Sequence, residues 1–352
     1  MDGLMKAAVF KGLNYIEVET RPMPKCDDDG LLLKVHFCGI CGGDYRNFKS
    51  GLKGGITNQI LGHEIAGEII EVGCKVKSWR VGQKVALAPD ISCGECWYCK
   101  HGMVNLCLEH RMLGTHLPGG YAQYIALPKD VLEHGFIELI PKGMSYQAAA
   151  FAEAAAGVVA CQKRLNISAG DTVIVVGDGP IGCLHVEMAH ARGAKVIMLA
   201  RGKIDQVAKF EPDIIVDNRQ PERAIEKVLE FTNGLGADFV ILAVPNVEAQ
   251  GQALQMVRKR GVVVIYGGAP KGKSSSQIDS NIIHYNEINL VGSFSYSRTG
   301  LADALEAIRS NQIHAEKYIN AIVSLEELKD VMPRNTHKDA LKILIDPWIE
   351  NV

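Results

Sequence analysis

Apolar positions follow two different rhythms along the chain. Up to about residue 145 they come as short runs, at 7–10, 31–35, 65–72 and 84–88, separated by turn pairs such as Asp29-Gly30 and Val81-Gly82. Short apolar runs bounded by such turns predict strands of a mostly β region. From about residue 168 the runs become compact, β-branched and continuous: 172–176, 195–199, 213–216, 238–242, 261–265 and 288–291. Continuous runs suit strands covered on both faces. Helical stretches, 221–231 and 247–259 among them, lie between most of these runs. Strand–helix alternation of this kind predicts an α/β fold with a parallel, doubly wound sheet. After 292 come two helical pieces, 301–308 and 325–331, and a last strand at 340–345. That tail is too small to fold alone, so the expected organisation is 1–150, then 151–291, with 292–352 returning to the first domain.

Composition narrows the class. With 352 residues, 47% apolar and 22% charged, the chain has too much core material for disorder and too much charge for a membrane protein. A net charge of −2 gives no global field for nucleic acid or anionic lipid. The start, Met1-Asp2-Gly3-Leu4-Met5-Lys6, lacks the layout of a secretory signal. The most apolar stretch, 148–161, is broken by Glu153 and too short to span a bilayer. A soluble, cytoplasmic protein without nucleic-acid or membrane partners is expected. Ten cysteines are dilute in such a chain, yet Cys93, Cys96, Cys99 and Cys107 crowd together, which in an intracellular protein favours metal over disulfides.

Three constellations carry chemistry. The first is Cys93-x2-Cys96-x2-Cys99-x7-Cys107, with Gly94 and Gly102 for the tight turns. Four thiolates at these separations can close a tetrahedral shell around zinc with no open position, the arrangement of a structural site. A zinc module for nucleic acid would want basic and aromatic residues around its ligands, and only Lys100, His101 and Trp97-Tyr98 intervene.

The second is Gly177-Asp178-Gly179-Pro180-Ile181-Gly182, directly after the run 172–176 and opening a helix to about Arg192. The first glycine turns, the second lets backbone approach a pyrophosphate, and the third permits helix–strand packing. At the end of the next strand, where an NAD enzyme presents a carboxylate to the ribose 2′-hydroxyl, stands Ala200, followed by Arg201 and Lys203. A guanidinium can bind a 2′-phosphate that a carboxylate would repel, so NADP(H) is favoured over NAD(H).

The third is scattered: Cys41 in Cys38-Gly-Ile-Cys41-Gly-Gly-Asp44, His63-Glu64 after Gly62, and Glu153 alone among alanines. A carboxylate in a run of small apolar residues needs a cation or hydrogen-bond donors when it is buried. One thiolate, one imidazole and one carboxylate would leave an open position on a catalytic zinc. An arginine could equally partner Glu153, and His63 could be a satisfied core residue.

In this order, the constellations resemble the zinc-containing medium-chain dehydrogenase/reductase superfamily, most closely its sorbitol (polyol) and threonine dehydrogenase branch. The likeness rests on Gly39-Ile40-Cys41-Gly42-x-Asp44, Gly62-His63-Glu64-x2-Gly67, the four-cysteine lobe, Gly119-Gly120-Tyr121-Ala122 and the glycine fingerprint. It implies a GroES-like β domain, split in sequence, around a Rossmann domain. It also implies a catalytic zinc on Cys41, His63 and a third residue, which in the polyol branch looks like Glu153, with Glu64 as the neighbouring acid able to replace a ligand or water. The implied chemistry is Lewis-acid hydride transfer between an alcohol carbon and the nicotinamide. Gly267, Phe294 and Ser295 join the fingerprint as candidate cofactor contacts, and homodimers or homotetramers are the expected assemblies.

The chain also departs from that pattern. Gly43 stands where relatives carry the first hydroxyl of a proton relay, and Arg46 where they often carry histidine. Proton transfer then falls to Tyr45, Glu64 or water. Phe294-Ser295-Tyr296 replaces the Phe-Arg-Tyr of polyol enzymes, so the substrate expected is a polyol, sugar or cyclitol-like alcohol or ketone rather than sorbitol itself. The alternative is a catalytically silent zinc- and nucleotide-binding relative, which the missing hydroxyl at Gly43 would suit. Cys26, Cys74, Cys161 and Cys183 read as ordinary buried thiols, and His185 and His190 as structural or solvated.

Overall fold

The computed structural model of the protein describes residues 3–334 and 340–350. Met1 and Asp2, the first residues of the segment read above for a leader, lie outside them. Two compact units emerge, one from Met1–Gly157 with Tyr296–Val352, the other from Val158–Ser295. The sequence boundaries at 150 and 291 lie earlier than these, because the first division falls inside one continuous helix, Tyr146–Leu165.

In the first unit the main sheet runs in the order Phe136–Leu139, Lys84–Ala88, Glu64–Val72, Leu31–Gly39, Lys342–Ile345, Ile319–Val323, with Tyr124–Leu127 also paired to Leu31–Gly39. A smaller sheet joins Tyr15–Pro22, Leu4–Gly12 and Gln59–Ile60. Leu31, Leu33 and Val35 are buried, as are Ile65, Ile69, Val85 and Leu87 on the adjoining strands, and together they anchor one core. Removing each large aliphatic side chain from water contributes about 1.5–3 kcal/mol. The strand Lys342–Ile345 sets Leu344 opposite Gly39, bringing a residue near the C-terminus beside the Cys41 segment.

The second unit is a six-stranded, wholly parallel sheet in the order Ile214–Asp217, Lys195–Ala200, Thr172–Val176, Ala237–Leu242, Val257–Ile265, Asn289–Gly292. Counted within the unit this is 3-2-1-4-5-6, the doubly wound order the alternation predicts, and its switch point lies where Thr172–Val176 meets Ala237–Leu242.

Two element limits differ from the sequence reading. The helix expected over 247–259 is Glu248–Met256, and Val257–Ile265 is strand. Arg258, Lys259 and Arg260 favour helix locally, but sheet pairing overrides them: Ala237 faces Val257 and Phe239 faces Val262 across a bulge at which Arg260 takes φ 60°. Arg258 Nε also reaches Asp238 Oδ1 at 2.6 Å. The helix expected at 325–331 is Leu328–Arg334, because Ser324 and Glu327 form a reciprocal cap ahead of it. Cys74, expected to be buried, is exposed, and Cys26 is only half-buried; both lie in connecting segments outside the cores. Among the described residues no helix is long and apolar enough to cross a membrane.

Candidate metal and dinucleotide sites

The Cys41 segment is fixed by its own chemistry. Cys41 is the N-cap of helix Gly42–Ser50: its Sγ accepts from Gly43 N at 3.4 Å, while Asp44 accepts from Cys41 N at 3.0 Å. These reciprocal bonds form a capping box with sulfur in the usual hydroxyl role. Asp44 is fully buried and does more than cap. Tyr121 donates its hydroxyl to Asp44 Oδ2 at 2.9 Å, and Asp44 Oδ1 lies 3.2 Å from His63 Nδ1. Desolvation works against a charged His63 ring, but the Asp44 carboxylate and then Cys41 more than offset it and raise its pKa well above the ordinary value.

Glycine is required where the chain reaches this site. A side chain on Gly62, which has φ +89°, would place Cβ 2.3 Å from the Tyr121 ring, and one on Gly39 would fall 1.8 Å from Glu64 Oε2. With those positions bare, Cys41, His63 and Glu64 bring their donor atoms within 4.8 Å of one another. Glu64 is buried and its two oxygens accept from Lys342 Nζ at 2.6 and 2.8 Å.

Glu153 is not a member of that donor group. It sits on Tyr146–Leu165, and its Oε1 accepts from the Tyr296 hydroxyl at 2.9 Å. Desolvation pushes its pKa up to about 7, with His63 opposing the shift and Glu64 reinforcing it. The donor that the alanine run demanded is therefore a tyrosine, not an arginine. Tyr45 follows on the same helix as Asp44 and is half-buried, with Lys49 Nζ 5.7 Å from its ring centre.

The four lobe cysteines also converge. Their sulfurs lie within 4.8 Å of one another, Cys96 to Cys99 at 3.5 Å and Cys93 to Cys99 at 3.9 Å. Backbone N–H groups of Cys96 and Cys93 point at the sulfurs of Cys93 and Cys107, at 3.3 and 3.2 Å. Gly94 and Gly102 each take φ +77°, the turns the spacing required. The N–H groups of Leu108 and then Cys99 bring the Cys96 thiol down to about 6, whereas burial raises Cys99 and pushes Cys107 up to about 12. Four sulfurs in this arrangement fit a closed tetrahedral zinc shell.

In the second unit the fingerprint takes the form its glycines dictate. Gly177 has φ +125°; a Cβ on Gly182 would strike Gly177 O at 1.8 Å, whereas one on Gly179 would meet nothing. The third glycine thus seats the helix on the strand, and the second leaves open space for a pyrophosphate at the N-terminus of Pro180–Ala191, where Pro180 and Ile181 begin the first turn. Ala200 is buried and pairs with Asp217, while Arg201 beyond it is exposed and Lys203 half-buried. Gly267 packs on Val244, its missing Cβ only 2.5 Å from Val244 backbone. Phe294 is exposed, and Ser295 takes φ 52° at the unit's last residue.

Four residues central to this geometry have no role assigned from the sequence. Asp44 was visible in its motif, Tyr121 in Gly119-Gly120-Tyr121-Ala122, and Tyr296 in the altered Phe-Ser-Tyr triplet. Lys342 gave no signal, since only the pairing of the final strand reveals its partner.

Comparison with known proteins identifies the family and the fold. Residues 27–134 match the alcohol dehydrogenase GroES-like domain, and 180–310 match the zinc-binding dehydrogenase family. The chain is 33% identical to a sorbitol dehydrogenase of Bacillus subtilis (strain 168) over 97% of each chain. It is 31% identical to a D-arabitol-phosphate dehydrogenase of Enterococcus avium, over 98% of this chain and 97% of that one. A zinc-binding dehydrogenase from Sinorhizobium meliloti 1021, solved bound to NADP, superposes with a TM-score of 0.88 at 30% identity, covering 98% of this chain and 99% of the other. The chain therefore belongs to the zinc-containing medium-chain dehydrogenase/reductase superfamily, in its sorbitol (polyol) dehydrogenase branch, and is an alcohol oxidoreductase by family.

Proposed function

We propose that this protein is a cytoplasmic, homo-oligomeric, zinc-dependent dehydrogenase that moves a hydride between NADP(H) and a secondary hydroxyl or ketone of a polyol, sugar or cyclitol-like substrate. The observation that carries it is the gathering of a thiol, an imidazole and two carboxylates: Cys41, His63 and Glu64 bring donor atoms within 4.8 Å of one another, and Glu153 is near enough for the charges of His63 and Glu64 to act on it. That donor set fits zinc, and the lobe cysteines fit a second, structural ion.

Within this reading Cys41, His63 and Glu153 are the catalytic metal ligands. Glu64 already has Lys342 on both oxygens, whereas Glu153 is hydrogen-bonded by a tyrosine hydroxyl and feels His63 only through its charge. Asp44 holds the His63 ring by Nδ1, leaving Nε2 for the metal, the carboxylate–histidine arrangement of many zinc sites. Zinc bound there supplies Lewis acidity toward the substrate oxygen. With Glu64 held by Lys342, the proton leaves through Tyr45 or directly to water. The fingerprint helix holds the pyrophosphate, and Arg201 and Lys203 offer cations to a 2′-phosphate. Relatives named for sorbitol and D-arabitol phosphate support a polyhydroxylated substrate.

A screen of polyols, sugars and cyclitols, followed through NADPH and NADH absorbance, tests the activity. Turnover on none of them would favour the silent relative, for which bare Gly43, whose Cβ would lie 3.7 Å from Cys41 Sγ, speaks. Arg201→Ala tests the cofactor: NADPH binding should weaken tenfold or more, NADH binding little. Equal losses would overturn the 2′-phosphate assignment.

A further inference from the structure

The second residue of the glycine fingerprint is not a spectator. Asp178 Oδ2 accepts three backbone hydrogen bonds, from Arg201 N at 2.9 Å, Gly202 N at 3.0 Å and Lys203 N at 3.2 Å. Three consecutive amides turned toward one oxygen make a backbone nest, a concavity suited to an anion. Here the chain fills it with its own carboxylate. Desolvation alone would raise the Asp178 pKa, but the amides of Arg201, Lys203 and Gly202 outweigh it and keep the carboxyl below the usual range.

Two further observations tie this strap to cofactor choice. Asp178 and Arg201 line the same small cavity, about 80 Å3, together with Gly177, Asn218 and Asn246. The neighbouring cation, Arg219, is already committed to Asp217, with Nε 2.9 Å from both oxygens. The amides of 201–203 are taken and Arg219 is engaged, so the cations of this segment left to meet a 2′-phosphate are the side chains of Arg201 and Lys203. Where those side chains start is set by the segment that Asp178 ties down.

We infer that Asp178 is a positioning residue for cofactor selection: it fixes the Arg201–Gly202–Lys203 backbone against the fingerprint so that Arg201 is presented to the 2′-phosphate of NADP(H). The inference rests on the NADP(H) reading above. It assigns to the fingerprint a selecting role besides its role in pyrophosphate binding. A carboxylate at this place also makes selection depend on side chains alone, because no backbone donor of the segment remains for the phosphate.

The test uses the full-length, zinc-loaded protein and two variants, Asp178→Ala and Asp178→Asn. Fluorescence titration gives Kd for NADPH and NADH, and hydrogen exchange reports the amides of 201–203. Asp178→Ala should weaken NADPH tenfold or more and NADH less than threefold, with faster exchange at 201–203. Asp178→Asn keeps one oxygen acceptor and should recover part of the NADPH affinity. Unchanged or tighter NADPH binding in Asp178→Ala would overturn the inference, since the carboxylate would then be idle or a repulsive gate. Equal weakening of both cofactors would overturn it too, reducing Asp178 to a structural tie. Arg201→Ala is measured alongside. If it leaves NADPH binding at the wild-type level while Asp178→Ala loses NADPH selectively, the error lies in giving the phosphate to Arg201, not in the role of Asp178.

Discussion

Lys342 and Glu64 form a buried ion pair in which one ammonium serves both carboxylate oxygens, at 2.6 and 2.8 Å. Their side chains are 5% and 0% exposed. A pair this deep is a weak source of net stability, but removing one partner strands a charge. Lys342→Met should therefore cost about 3–5 kcal/mol in folding free energy. The double variant Lys342→Met/Glu64→Gln should recover part of that loss, because the stranded charge is gone. Urea unfolding of the zinc-loaded proteins measures both. A single variant as stable as the wild type would show that Glu64 finds another cation, the catalytic metal first among them.

The lobe cysteines predict a stoichiometry. Two convergent donor sets should hold two zinc ions per chain, and Cys99→Ser should reduce the count to one, since Cys99 Sγ contacts both Cys93 and Cys96. Elemental analysis after extensive dialysis gives the count. Because the four ligands span only a short loop, the secondary structure of both units should survive, and far-ultraviolet circular dichroism checks that. Two zinc ions retained in Cys99→Ser would remove the structural assignment.

Glu153 and Tyr296 form a hydrogen-bonded unit whose two halves test differently. Glu153→Ala should release the catalytic zinc or abolish hydride transfer. Unchanged turnover with two zinc ions would leave Glu64 as the third ligand. Tyr296→Phe keeps the carboxylate and removes its donor at 2.9 Å. A hydrogen bond to a charged group contributes about 1.5–3 kcal/mol, so kcat/KM should fall roughly tenfold or more if Glu153 needs that bond for its orientation. Zinc content should stay at two. Full activity in Tyr296→Phe would show that Glu153 is held by its helix alone.

What could be read from the chain follows from how locally each feature is encoded. Gly177, Gly179 and Gly182 announce themselves because a single backbone turn imposes all three. The lobe cysteines do so because their separations match one tetrahedral shell. Cys41 and His63 are close only after Leu31–Gly39 and Glu64–Val72 have paired, so motif likeness, not spacing, brought them together. Lys342 was illegible for the same reason carried further: its contact spans nearly the whole chain and depends on the register of one short strand, Leu344 opposite Gly39. The misread end of helix Glu248–Met256 shows the opposite failure, where helix-favouring residues 258–260 yield to sheet pairing and a bulge.

His185 carries the pH prediction. It is fully buried on helix Pro180–Ala191, its Nδ1 3.2 Å from Gln162 Nε2 and its ring edge-on to Tyr266 at 4.7 Å. Desolvation lowers its pKa from 6.5 to about 3, so the folded protein keeps it neutral where the unfolded chain protonates it. The unfolded state therefore binds more protons between those values, and stability rises with pH across that window. The contribution is complete above pH 6.5 and is lost progressively as the pH falls toward about 3. His185→Leu removes the titration while leaving Gln162 Nε2 its bond to the residue-185 carbonyl, 2.8 Å in the present chain. The stability difference between wild type and His185→Leu should shift by about 2 kcal/mol in favour of the variant between pH 7 and pH 5. Taking the difference cancels zinc release and the surface carboxylates, which titrate alike in both proteins. Parallel curves from urea unfolding across that range would mean that His185 is protonated in place, with Gln162 turned to accept its proton.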